Sequence, residues 1–183
     1  VFKALRKAMS NETPRRLLRL VDNPPTAVAA DELPRPEVRV GQIWIARPDE
    51  GPDVLVLLIE VRDDHVDALL CSDDDGLATE TDAVLEPPDT GWPDRLLVHG
   101  DVGGPILRKR LVGSPGRIDP GIVRRIVLRG RGVDFYSHDL GRGTPILSES
   151  DPRWDAKLER VEQLRTVKAR ATELGLKLYR LTR

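Results

Sequence analysis

The chain has 183 residues, 39% of them apolar, which is long and apolar enough for one domain with a real core and some extra segments. Its 29 Lys and Arg against 30 Asp and Glu leave a net charge of −1, which argues against a large non-specific nucleic-acid footprint and allows only a local basic patch. The single cysteine, Cys71, excludes an internal disulfide and a cysteine-based zinc site, and no apolar run reaches the roughly twenty residues of a membrane span. With no continuous apolar leader at the amino terminus, the expectation is a soluble cytoplasmic protein without membrane contact.

Residues 1–21 read as a helical arm. Thr13 is a capping residue, Pro14 suits a first helical position, and Leu17, Leu18, Leu20 and Val21 form an apolar stripe opposite Arg15, Arg16 and Arg19. Such an arm is a solvated amphipathic helix, a partner-binding helix or a nucleic-acid contact. Residues 22–37 contain Pro24, Pro25, Pro34 and Pro36 and read as a stiff, extended linker.

From residue 38 the pattern changes to strands. Val38, Val40, Gln42, Trp44 and Ala46 alternate with Ile43 and Ile45, so this strand is expected to be buried on both faces. Pro48-Asp49-Glu50-Gly51-Pro52 is a turn. The run Val54-Leu55-Val56-Leu57-Leu58-Ile59 reads as the central strand, joined by a tight turn at Asp63-Asp64 to a partner over 66–71. The spacing predicts an edge strand over 79–85 and a proline-rich loop over 87–93. A short strand follows over 95–99, broken by Gly103-Gly104-Pro105 from another over 106–112. The core is expected to hold Ile43, Ile45, Val54, Val56, Leu58, Val66, Ala68, Leu70, Val98 and Leu111.

Asp119 caps a helix that Pro120 opens, with Ile122, Val123, Ile126 and Val127 on one face and Gly130 at its end. Residues 131–183 are read as a loop and a long helix. Asp151 caps that helix, Pro152 begins it, and it is predicted to run to 174. Its stripe of Trp154, Leu158, Val161 and Leu164 is expected to be covered by the barrel or by a partner. Gly175 suits a helix end, and 176–181 alternates like a final strand.

No catalytic constellation is complete in the sequence. His65, His99 and His138 have no ligand-spaced neighbours, so neither a metal nor a cofactor is expected. Asp73-Asp74-Asp75-Gly76 lacks the alternation of a calcium loop and reads as a turn. Gly100-Asp101-Val102-Gly103-Gly104-Pro105 lacks the Lys-Ser/Thr ending of a phosphate loop. No Ser sits in a nucleophile elbow, so no motif assembles a Ser-His-Asp triad. Cys71 ends an apolar run and reads as a buried, inert thiol. Arg108, Lys109, Arg110, Arg117 and Arg124 form the densest basic group. They are either a solvated face or a phosphate-backbone contact gathered on one rim.

In their order and spacing these elements resemble the MazF/PemK toxin family over about residues 38–128. Gly41-Gln42-Ile43-Trp44 looks like its opening Gly-Asp-Ile-Trp strand, and Pro52-Asp53-Val54-Leu55-Val56-Leu57 like its second strand. Cys71-Ser72 falls at its third-strand ending, Asp101-Val102 near its Asp-Gln-Val segment, and Gly116-Arg117-Ile118-Asp119-Pro120 before its last helix. The resemblance implies an SH3-like barrel over 38–130, so a mainly β (α+β) fold with an amino-terminal helical arm and a long carboxy-terminal helix. It also implies a homodimer or an antitoxin-like protein partner, RNA as a ligand, and metal-independent RNA cleavage. The family's catalytic Arg precedes the Pro of the second strand, where this chain has Gly51. Ser72 keeps the position of the family's hydroxyl residue, and Arg47 or Arg62 stands as a replacement cation. The expectation is a binding module with little nuclease activity. The alternatives are an active toxin-type endoribonuclease with relocated catalytic residues and an adaptor subunit of a larger assembly. Leu17, Leu18, Val21, Trp154, Leu158 and Val161 are the expected partner contacts.

Overall fold

The computed structural model describes residues 36–133, 140–141, 143–170 and 172–174. The arm with Leu17, Leu18 and Val21, most of the linker, His138 and the suggested strand over 176–181 lie outside the described residues.

The architecture is mainly β with helices added. Six antiparallel strands run in the order β4-β5-β3-β2-β1-β6. They are β1 Gln42–Ala46, β2 Val54–Val61, β3 His65–Ser72, β4 Ala83–Leu85, β5 Leu96–Leu107 and β6 Leu111–Arg117. A single helical turn, α1 Pro87–Thr90, interrupts the proline-rich loop. Helix α2 spans Pro120–Gly130 and helix α3 spans Pro152–Val167. Both longer helices start where the sequence places them. The Asp119 carboxylate accepts from the Gly121 N–H and the Asp151 carboxylate from the Arg153 N–H, each with Pro next in line.

The alternation of β1 to β3 divides the core into two halves, because successive side chains leave opposite faces of a strand. Trp44, Ala46, Val54, Val56, Leu58, Val66, Ala68 and Leu70 pack on one face with Leu164 and Val167 of α3. Ile43, Leu57, Leu69 and Cys71 pack on the other with Val123 and Ile126 of α2. The expected core is buried except for Ile45, which is half-exposed. Burial pushes the Cys71 thiol well above its ordinary range, so it stays protonated.

Three expectations change. β5 is one strand through Gly103-Gly104-Pro105, not two. Those glycines let β5 approach β3 closely: a Cβ on Gly103 would lie 2.8 Å from the Ala68 carbonyl oxygen. The edge strand is only Ala83–Leu85, since Thr79 and Asp82 are tied into the turn before it. Finally, α3 stops at Val167 instead of 174. The chain there turns extended, Lys168 bridges Ile106, and the Ala169 N–H donates to the Pro105 carbonyl at 2.7 Å. Pairing with β5 thus takes over from the helix.

Both ends of the sheet are modified. β4 has three residues, and the Val84 N–H donates outward to the Gly141 carbonyl. β6 carries Pro115 and joins β1 through register shifts at Ile43/Ile45 and Ile45/Ala46.

Candidate functional site

Ser72 ends β3 on the rung opposite Leu97 of β5. Just beyond that rung β5 bulges, so that Leu69 faces Gly103 while Cys71 faces Val98. His99 begins the bulged stretch, and bulges of this kind re-aim side chains. The His99 ring turns back toward the strand end, with Nε2 at 2.9 Å from the Ser72 Oγ. On its other side Nδ1 lies 3.3 Å from Oδ1 of Asp82, in the turn before β4. The second Asp82 oxygen accepts from the Thr79 N–H at 2.8 Å and the Thr79 hydroxyl at 3.0 Å. Arg160 reaches in from α3. It donates to the Leu77 carbonyl at 3.4 Å and places its Nη1 3.4 Å from His99 Nδ1. His99, Asp82 and Arg160 are buried, while Ser72 is half-exposed.

The structure therefore brings together a Ser, a His and an Asp that no sequence motif assembles. They come from three elements, 10 and 27 residues from Ser72, and the guanidinium comes from a fourth. Two faint signals existed in the sequence. His99 continues the apolar run Leu96-Leu97-Val98, and Arg160 lies four residues from both Ala156 and Leu164 on one helical face.

His99 is held below its ordinary value of 6.5. Burial is the main cause; the Arg160 charge adds to it, and the Asp82 hydrogen bond opposes it. For Asp82 burial acts upward from 3.8, yet the hydrogen bond and charge of His99 and the bonds from Thr79 outweigh it, and the net shift is down. The state favoured is a neutral imidazole beside an ionised Asp82. Asp73, next to Ser72, moves up because it is partly buried and because Asp74 and Asp94 repel its charge.

These directions define a pH prediction. A histidine whose folded value is depressed binds fewer protons folded than unfolded. Its stabilising contribution is present above 6.5 and is lost as pH falls through the folded value. Asp82 adds a second loss as pH falls from 3.8, whereas Asp73 acts in the opposite sense over the acid range. The urea midpoint is expected to be level above 6.5 and to decline below it, and His99→Gln is expected to remove that upper decline. An unchanged profile in the variant would show that His99 does not set it.

The other expected site residues are dispersed. Arg47 lies one residue past β1, beside the start of β2, and the β2–β3 register brings that end of the sheet to Ser72. Its Nε and Nη2 each donate to Asp53 at 3.0 Å, so it is committed to that carboxylate. Arg62 sits at the opposite end of the β2–β3 hairpin, paired with Glu60, and is not brought to Ser72. Gly51 is exposed with φ at 101°, a left-handed conformation that a side chain adopts only with strain.

The basic residues do not share one rim. Arg108, Lys109 and Arg110 form a 3-10 turn before β6, and Arg117 ends the same strand seven residues on, beside the start of β1. Arg110 is no surface cation: it is buried, donates to the Val167 and Lys168 carbonyls, and pairs with Asp49 at 2.8 Å. Arg108 donates to the Asp63 carbonyl, while Lys109, Arg117 and Arg124 are exposed.

Helix α3 presents an unexpected face. Ala156, Arg160, Leu164 and Val167 are the buried row. Trp154, Leu158 and Val161 are 38%, 52% and 46% exposed, and only Leu164 of the expected stripe is covered. Under the helix Arg160 meets the Leu77 carbonyl and His99, while Leu164 and Val167 join the apolar cluster. A cavity of about 540 Å³ opens beside β4 and α1, lined in part by Asp75, Glu86, Arg95, Leu140, Thr144 and Arg153. Ser72, His99 and Asp82 are not among its lining residues. Among the described residues no group of His, Cys, Asp and Glu is arranged to hold a metal, and no helix is long and apolar enough to cross a membrane.

No family model and no curated protein matches the sequence. Among solved structures, the chain is similar to an endoribonuclease in complex with its cognate antitoxin from a mycobacterial species. That match has 15% identity and a TM-score of 0.44, and covers 54% of this chain and 98% of the other. It is also similar to the Mycobacterium tuberculosis toxin MazF-mt6, with 16% identity and a TM-score of 0.41, over 51% of this chain and 99% of the other.

Proposed function

We propose that this chain is a divergent MazF/PemK-like barrel that works by binding a protein partner and has little ribonuclease activity. The observation that carries the reading is the α3 ridge. Trp154, Leu158 and Val161 stand out from a helix whose other face is already docked, and Leu147 in the preceding segment is 88% exposed. The proposed occupant is a second copy of the chain, through the apolar stripe Leu17, Leu18 and Val21 of its amino-terminal arm. The linker of residues 22–37 can span up to ~50 Å when extended, which is long enough to reach a neighbouring subunit.

Gly51 supports the low nuclease activity, because the turn there offers no guanidinium to a phosphate. Arg47 is bonded to Asp53, and the acids at 73, 74 and 75 beside Ser72 repel RNA. An adaptor role in a larger assembly would use the same ridge.

Molar mass by light scattering at tens of micromolar tests the proposal. The intact chain is expected to be dimeric, and both Leu158→Asp with Val161→Asp and removal of residues 1–37 are expected to give monomers. A monomeric intact chain sinks the reading. Robust metal-free cleavage of RNA that disappears in Ser72→Ala would replace it with the active-toxin alternative.

A further inference from the structure

We propose that Ser72, His99 and Asp82 form an acyl-transfer site, with Ser72 as its nucleophile and neutral or cationic esters as its substrates. The roles follow from geometry. Thr79 occupies one Asp82 oxygen through two hydrogen bonds and leaves the other for His99 Nδ1. Asp82 Oδ1 and Arg160 Nη1 both lie beside Nδ1, at 3.3 and 3.4 Å; in the tautomer with Nδ1–H donated to Asp82, Nε2 accepts, and the group at Nε2 is the Ser72 hydroxyl, 2.9 Å away. A hydroxyl, a base and an orienting carboxylate in these relations define a nucleophilic triad, whatever their order in the chain.

Exposure follows the same logic. His99 and Asp82 have 1% and 2% of their side chains accessible, while Ser72 is half-exposed, so an incoming carbonyl meets the hydroxyl and not the base. Arg160 closes the inner side of the ring and favours the neutral imidazole, the form that can take a proton. Charge selects the substrate class. Asp73 and Asp74 follow Ser72 directly and Asp94 is close enough to act on Asp73, while Asp75 is paired with Arg95, so phosphodiesters and other anions are disfavoured.

In the step itself, the Ser72 Oγ attacks the acyl carbon and its proton passes to His99 Nε2. The bond to the leaving alcohol breaks, and that alcohol takes the proton from His99. Water then attacks the acyl-serine by the same route in reverse, releasing the acid and restoring Ser72.

The test uses the full chain with a neutral fluorophosphonate and with p-nitrophenyl acetate. The fluorophosphonate forms an O–P bond to Ser72 and expels fluoride, so the expected result is one adduct per chain, located on Ser72 by peptide mass spectrometry. Ser72→Ala should melt like the parent and take no adduct, and His99→Gln should slow labelling by ~100-fold or more. Because His99 is buried, that variant could lose its fold, so the parent's pH profile provides a second measurement. The charged and titratable groups facing His99 are Asp82 before β4, Arg160 from α3 and Asp101 on its own strand, with the Ser72 hydroxyl from β3. Labelling and acetate release are expected to rise to a plateau with an inflection below 6.5. No adduct on the parent, an adduct that survives Ser72→Ala, or a rate that climbs without a plateau into the alkaline range overturns the proposal.

Discussion

Removing residues 152–183, which include helix α3, is expected to unfold the sheet. Leu164 and Val167 are part of the same apolar cluster as Trp44, Val54 and Val56, so their loss opens one face of the sheet to water. Two such side chains are worth ~1.5–3 kcal/mol each. An electrostatic loss adds to this. Arg110 would lose both of its carbonyl acceptors and Glu173, and keep only its pair with the exposed Asp49. Breaking such contacts costs up to about 3–5 kcal/mol, and less where water replaces them. His99 and Asp82 would lose their cover as well. Together these losses approach the ~5–15 kcal/mol total stability of an ordinary domain. The shortened chain should show no cooperative melt by circular dichroism. A cooperative transition within a few degrees of the intact protein would show that the barrel stands alone. Leu164→Ala is the graded version, expected to cost ~2–5 kcal/mol in urea denaturation.

The second large effect is expected at Gly130. There the last turn of α2 lies directly on the bulged part of β5. A Cβ on Gly130 would sit 1.9 Å from the Gly100 carbonyl oxygen, and one on Gly100 would sit 2.2 Å from the Thr81 carbonyl oxygen. The obstacles are backbone atoms and have no rotamer to escape into. Gly130→Ala must therefore lift α2 off β5, at a cost of ~1–3 kcal/mol or more. Gly132 is the internal control: its φ is 71° but nothing lies within 4 Å of an added Cβ, so Ala there carries backbone strain alone. The urea midpoint of Gly130→Ala should fall well below that of Gly132→Ala. Equal midpoints would show that the helix does not rest on the strand this closely.

The parts of the fold that were legible in the sequence are those governed by neighbours in the chain. The alternation of 43–46, 54–58 and 66–70 marks the three central strands, and Asp119-Pro120 and Asp151-Pro152 mark the two helix starts, because each signal depends on a few adjacent residues. Gly103-Gly104-Pro105 misled because glycine punctuates a chain in isolation yet permits close approach once a neighbouring strand is present. The faces of α3 were exchanged for a related reason. Trp154, Leu158 and Val161 form the more apolar row, but the row that docks combines Leu164 and Val167, in the apolar cluster, with Arg160, which meets His99. Ser72 was marked only by the resemblance, which puts a hydroxyl residue at that strand end. Its partners were not, since 27 residues separate it from His99 and a further 61 separate His99 from Arg160.

The two modified ends of the sheet have a consequence for self-association. An unpaired strand edge is a template on which a second chain can add a strand, and repeated addition leads to fibrils. β4 is too short to serve, and its outward N–H at Val84 is already taken by Gly141. β6 offers Pro115, which has no N–H to donate, along a strand whose register is already irregular. Among the described residues, neither edge offers a long regular row of backbone groups for a second chain. Copies of this protein that meet are thereby steered away from backbone pairing, which has no natural end.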